Sequence, residues 1–148
     1  MLMIHETDAE DIPVLAAELR TALLRAARRL RVERSDEEIS AGQLSVLGFL
    51  HREGPSTPRA IAAFERVRPP SLTRTLAALQ DLGLVERVAH PDDGRQVLIA
   101  LTGAGRAAVT LTRSRRDAWL AQVLSGFSPT ERTALATALD VLRRIADS

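Results

Sequence analysis

The chain of 148 residues contains no cysteine, no lysine and no tyrosine. Without cysteine there is no disulfide framework, no Cys-ligated zinc site, no cysteine nucleophile and no thiol-based peroxide sensor. Aromatic residues make up 3% of the chain. A core must therefore be built from Leu, Val, Ile and Ala, a supply that suits helices packed on helices. No apolar run approaches the roughly 20 residues that a membrane span requires. The chain opens with His5, Glu6, Asp8, Glu10 and Asp11 rather than a basic-then-apolar leader. The expectation is a cytoplasmic protein with no membrane partner.

What is present fits one compact domain spanning 1–148, with 45% hydrophobic residues. The net charge is +1 and every one of the 20 basic residues is arginine, a usage that GC-rich coding alone would produce. Position says more than the total. Between Arg59 and Arg74 four arginines face a single acid, Glu65, so that stretch is locally positive.

Ile12, Leu15, Leu19, Ala22, Leu23, Ala26 and Leu30 recur every three to four residues, the spacing of one buried face on a helix from about Asp8 to Arg34. Charged residues at 33–38 break the pattern. A second helix follows from about Ala41 to Arg52, with Leu44, Leu47 and Leu50 on one side and Gly54-Pro55 as its stop. Thr57-Pro58 reads as an N-cap followed by proline at the first helical position, and Ile61, Ala62 and Phe64 give this short third helix an apolar face. Pro69-Pro70 can open a helix but not sit inside one. Leu72, Leu76, Leu79 and Leu82 form the stripe of the fourth helix, which Gly83 ends.

Leu84 to Ala89 and Gln96 to Leu101 are β-prone, and His90-Pro91-Asp92-Asp93-Gly94 between them is a cluster of turn formers, so the segment predicts a hairpin. Thr102 caps a fifth helix running to about Ser125. Ser128-Pro129-Thr130-Glu131 is a capping box for a sixth that runs to about Ala146. The stripe of Leu135, Leu139, Leu142 and Ile145 on that last helix has no other large unit in the chain to cover it, and a partner chain is the simplest cover.

Short helix, four-residue turn, helix, hairpin is the order of a winged helix-turn-helix. The expected fold class is therefore mainly α with a small β-hairpin wing. With the leucine stripe of the fourth helix inward, Pro70, Thr73, Arg74 and Ala77 point outward and Ser71 lies at one margin. Arg74 can donate two hydrogen bonds to guanine, Ser71 and Thr73 can bond base edges or phosphate, and Pro70 can touch a thymine methyl. On an isolated helix such polar residues would be merely solvated; the surrounding order favours base reading. At the hairpin, Asp93-Gly94-Arg95 sets an arginine where a wing could enter a minor groove, with Asp93 able to orient the guanidinium. An ordinary turn with a surface ion pair is equally compatible with the spacing.

From Leu44 to Thr102 the chain resembles the MarR (multiple antibiotic resistance regulator) family. Helix two carries LSVLGFL, TPRAIA follows, and in SLTRTLAALQDLGLVERV the residues Thr73, Arg74, Leu79, Gly83 and Leu84 match the family pattern TR-x4-L-x3-GL without gaps. The wing pattern D-x-R-x3-V-x-L-T is met by Asp93, Arg95, Val97 and Thr102 with two extra residues before Leu101-Thr102. Other departures are His90-Pro91 where many members have Asp-Pro, Gly94 in place of a second arginine, and Pro69-Pro70 after Arg68. The resemblance implies a winged helix-turn-helix lobe at 41–102 and dimerisation helices at 8–34 and 103–147. It implies double-stranded DNA and a second copy of the chain as partners, with Thr57, Arg68, Pro69, Pro70, Ser71, Thr73, Arg74, Asp93 and Arg95 facing DNA. Leu15, Leu19, Leu135, Leu139, Leu142 and Ile145 would then face the other protomer. Many members are repressors released by small aromatic compounds bound in a crevice. Phe49, His51, Arg52 and Trp119 are candidates for such a crevice, but each is equally a core or interface residue, and no ligand site is assigned.

No metal or other cofactor is implied, since His90 beside Asp92 and Asp93 reads as a turn. With only His5, His51 and His90, and neither G-x-S-x-G nor H-E-x-x-H in the chain, an enzyme has little to work with. The remaining rival is a winged helix that binds a protein rather than DNA.

Overall fold

The computed structural model describes residues 11–33 and 39–148. The chain divides into two units, residues 1–33 and 34–148. The first contributes α1 (Ile12–Val32), with Pro13 in its opening turn, where a missing N–H costs nothing. The expected ends of this helix at 8 and 34 lie outside the described residues, as does most of the charged break after it. Taken by itself, α1 buries none of its residues; Leu15 is exposed and Leu19 half-buried.

The second unit runs α2 (Ala41–Glu53), α3 (Pro58–Glu65), α4 (Pro69–Asp81), β1 (Val85–Ala89), β2 (Val97–Leu101), α5 (Gly103–Ser125) and α6 (Pro129–Ala146). Local chemistry sets most of these ends. Ser40 and Gln43 form a capping box at α2, which the sequence reading did not single out. The hydroxyls of Thr57, Thr102 and Ser128 accept the amides of Ala60, Gly105 and Glu131. At α6 the Glu131 carboxylate in turn accepts the Ser128 amide at 2.7 Å, which holds it below the usual carboxylate range.

α4 closes with two crossed backbone bonds, Leu84 N–H to the Leu79 carbonyl and Gly83 N–H to that of Gln80, with Gly83 at φ 72°. Leu82 is the last residue before this reversal. A second successive step of three residues swings it off the Leu72-Leu76-Leu79 line, and it is exposed rather than part of the stripe. The turn between α3 and α4 has three residues, Arg66 to Arg68, one fewer than expected. It closes the same way, by Val67 N–H to Ala62 and Arg66 N–H to Ala63. The residue in the left-handed region here is Arg66, at φ 53°.

β1 and β2 pair antiparallel in the register Val85 with Leu101 through Ala89 with Val97. Ser56 adds a further rung: its N–H donates to the Ile99 carbonyl at 3.0 Å and its carbonyl accepts the Ile99 amide at 2.8 Å. The wing is thereby tied to the loop between α2 and α3. On β2 the inward residue is Ile99, 1% exposed, whereas Val97 is 41% exposed. The apparent two-residue insertion in the wing pattern therefore disappears, because Ile99 takes the buried apolar place and Leu101-Thr102 follow at the family spacing.

The core joins Val46, Leu47, Phe49 and Leu50 of α2, Ile61 of α3, Leu72, Leu76 and Leu79 of α4, and Leu84, Val85, Ile99, Leu101 and Val109. Phe64 is not part of it; it is 48% exposed, although the sequence placed it on the apolar face of α3. The buried residues of α5 are Gly105, Val109 and Thr112, all in its first half, so this helix begins inside the winged lobe instead of starting beyond it. α6 buries none of its residues: Leu135, Leu139 and Ile145 are exposed and Leu142 half-buried.

Candidate nucleic-acid interface

The inward leucines of α4 decide its outward face. Pro70, Thr73, Arg74 and Ala77 are exposed, as the stripe predicted, and so are Ser71 at its margin and Arg68 and Pro69 before it. Arg68 is the N-cap residue, with no side-chain bond to the helix end. Prolines occupy the first two helical positions and so remove two amide donors; the amides of Ser71 and Leu72 both donate to the Arg68 carbonyl, at 3.0 and 3.2 Å. The Thr73 hydroxyl donates to the Pro69 carbonyl at 2.9 Å, which leaves its oxygen lone pairs as what it has to offer a partner.

At the wing tip, the expected pairing of Asp93 with the Arg95 guanidinium is replaced by a bond to the backbone: the carboxylate accepts the Arg95 amide at 3.0 Å. An Asp two residues before an amide closes this local ring without ordering a long side chain. His90 staples the same turn, its Nδ1 accepting the amides of Asp92 and Asp93, both at 3.1 Å. Accepting two amides uses the Nδ1 lone pair, so the ring acts as a turn acceptor.

Among the described residues, no ion pair neutralises Arg59, Arg66, Arg68, Arg74 or Arg95. The one acid of the stretch, Glu65, accepts the Ser45 hydroxyl at 2.7 Å. Thr57 is half-buried at its cap and lines an open cleft of about 310 Å³ with Pro58, Arg59, Gln96 and Val97, which brings the start of α3 against the wing strand. Arg59, Arg66 and Gln96 thus join a surface for which the sequence had not named them. The high local arginine count was the available signal for Arg59 and Arg66; nothing in the sequence pointed to Gln96.

Phe49 packs on Phe64 with ring centroids 4.7 Å apart and the Arg52 guanidinium lies 5.3 Å from the Phe64 ring centre, while His51 is exposed and Trp119 half-buried. Phe49 and Arg52 are accounted for by packing between α2 and α3.

A family model described as the MarR family matches residues 38–96. An HTH-type transcriptional regulator of Mycobacterium bovis, Mb0904, is 43% identical over 133 residues, covering 90% of this chain and 93% of its own length. The chain belongs to the MarR family. Among solved structures, a transcriptional regulator from Pseudomonas aeruginosa superposes with a TM-score of 0.83 at 32% identity, covering 95% of this chain and 98% of that one. The fold is shared with a MarR family protein from Bacillus stearothermophilus, with a TM-score of 0.81 at 23% identity over 95% and 99% of the two chains. It is also shared with a MepR mutant of Staphylococcus aureus bound to an oligodeoxyribonucleotide, with a TM-score of 0.65 at 21% identity over 89% and 97%. In this MarR chain the winged helix-turn-helix is formed by α3, α4 and the β1–β2 hairpin. No helix of the described residues is long and apolar enough to cross a membrane.

Proposed function

We propose that this protein is a sequence-specific transcriptional regulator that binds double-stranded DNA as a homodimer, with α4 in the major groove and the wing beside it. The observation that carries this reading is the outward face of α4 together with the wing tip, where Arg68, Arg74 and Arg95 stand exposed with no acid neutralising them among the described residues. The MepR relative bound to an oligodeoxyribonucleotide supports it. Thr57, Arg68, Pro69, Pro70, Ser71, Thr73, Arg74 and Arg95 form the DNA-facing set, with Asp93 shaping the tip rather than touching DNA.

The uncovered stripe of Leu135, Leu139, Leu142 and Ile145 supports a second protomer as the cover, with Leu15 and Leu19 of α1 on the same interface. Two copies place two recognition helices on an inverted repeat with half-sites roughly 10 base pairs apart. Repression, with release by a small aromatic effector, completes the reading on the family pattern. It assigns no catalytic role and no cofactor.

Selection of bound duplexes from a random DNA library, followed by affinity against salt, tests this directly. An inverted repeat with affinity falling steeply as salt rises is expected. No enrichment at any salt concentration would overturn the DNA reading and favour a protein-binding winged helix.

A further inference from the structure

The outward line of α4 carries an unusual set of groups. Helix N-termini that meet DNA commonly offer backbone N–H groups to phosphate. Here the first two helical positions are Pro69 and Pro70, which have no N–H, and the amide of Ser71 is already bonded to the Arg68 carbonyl. This end of the helix therefore presents pyrrolidine methylenes where amides would stand. Pro70, Thr73 and Ala77 share one outward strip, since steps of three and seven residues return to within about 60° and 20° of the starting direction at 100° per residue.

Thr73 narrows the chemistry further. Its hydroxyl proton is committed to the Pro69 carbonyl at 2.9 Å, a bond within the helix that does not depend on any partner. The side chain then offers a base edge lone pairs and a methyl group, and no donor. A donor-free, largely apolar strip is a poor match for guanine, whose major-groove edge carries only acceptors. It matches a thymine·adenine pair, which shows a methyl group on one base and an N6 amine donor on the other. Arg74, one residue further and also outward, supplies the donors that a neighbouring guanine needs.

We infer that Pro70 and Thr73 are the specificity-determining residues for a thymine·adenine pair in each half-site, Pro70 lying on the thymine C5-methyl and the Thr73 oxygen accepting from adenine N6. This inference rests on the DNA-binding reading and adds the identity of a base pair to it.

Single-atom changes in the DNA test it. In the selected operator, each thymine is replaced in turn by deoxyuridine, which lacks only the methyl, and each adenine by 2-aminopurine, which moves the amine out of the major groove. One symmetry-related thymine is expected to weaken binding about fourfold per half-site when demethylated, the loss of roughly one buried methyl. Its partner adenine is expected to be the sensitive position for 2-aminopurine. The deoxyuridine effect should vanish in Pro70→Ala and the 2-aminopurine effect in Thr73→Val, which keeps side-chain shape while removing the acceptor. Both positions are exposed, and unchanged helical circular dichroism confirms folding of each variant. Indifference to deoxyuridine at every position, or a penalty that persists in Pro70→Ala, overturns the inference while leaving DNA binding intact. Failure to select any duplex overturns the DNA-binding reading, and this inference with it.

Discussion

Gly105 lies against the carbonyl oxygen of Leu84, and a Cβ placed on it would collide with that oxygen and crowd the Leu101 side chain. The same carbonyl accepts the Thr102 amide at 3.1 Å, while the Thr102 hydroxyl donates to the Gly83 carbonyl at 2.6 Å. Glycine at 105 is therefore a requirement of close approach, the first turn of α5 being pressed onto the backbone that joins α4 to the wing. Gly105→Ala is expected to destabilise the fold by about 1–3 kcal/mol or more, because backbone rather than a flexible side chain must give way. Urea denaturation checks this; a midpoint equal to that of the parent would show the seam to be looser than described.

Arg66 makes the opposite case. A side chain in the left-handed region costs roughly 1–2 kcal/mol relative to glycine, so Arg66→Gly should raise the melting temperature. If the Arg66 guanidinium meets phosphate, the same variant lowers the slope of affinity against salt by about one. The two effects are read in separate experiments. A melting temperature below that of the parent would mean that the arginine side chain holds the turn by contacts beyond the backbone.

The arginines proposed to face DNA divide by role. Arg74→Ala should cost about 1–3 kcal/mol of operator affinity and relax selectivity at one base position, whereas Arg68→Ala should weaken all sequences alike and reduce the salt slope. Competition binding against operators mutated one base pair at a time separates the two patterns. Uniform loss in Arg74→Ala would move that residue to the backbone-contacting set.

For the wing, His90→Ala removes the acceptor of two amides and is expected to speed hydrogen exchange at Asp92 and Asp93 selectively, with global stability lowered by about 1 kcal/mol. His90→Asp restores an acceptor and should restore protection. Unchanged exchange in the alanine variant would mean that the Asp93 ring alone holds the tip.

Glu131 carries a pH dependence of defined sign. The Ser128 backbone and side chain hold its carboxyl below the unfolded value, so its contribution is present above that value and is lost as pH falls through the folded one. The difference in melting temperature between the parent and Glu131→Gln should accordingly shrink as pH falls from neutral into the acid range. A difference that is constant with pH would show that the charge contributes nothing to the cap.

Much of this architecture was legible in the sequence because the signals were local. Leucines at 72, 76 and 79 fix both faces of α4, the caps at Thr57, Thr102 and Ser128 fix three helix starts, and Asp93-Gly94 marks a hairpin. What was not legible depended on partners distant in sequence or on backbone closure. Ser56 pairing with Ile99 decides which β2 residue is inward, and the Ala62–Val67 bond shortens the helix-turn-helix turn and forces Arg66 left-handed. Phe64 sits on the expected face of α3 yet stays largely exposed, outside the core, with Phe49 and Arg52 against its ring. The outward face of α4 was legible, because burial of one face defines the other, and the wing tip less so, where the partner of Asp93 is an amide rather than a charge.

Thr102 closes β2 and opens α5 while bonded to Gly83 and Leu84, which lie between α4 and β1. Mechanically it is a fulcrum. The 23 residues of α5 form an arm of about 34 Å, with the recognition helix and the wing both mounted at its short end. A sideways push on the far end of that arm would reach α4 and the wing together, through one joint. They would then engage or leave a groove as one tool, with no separate latch for either.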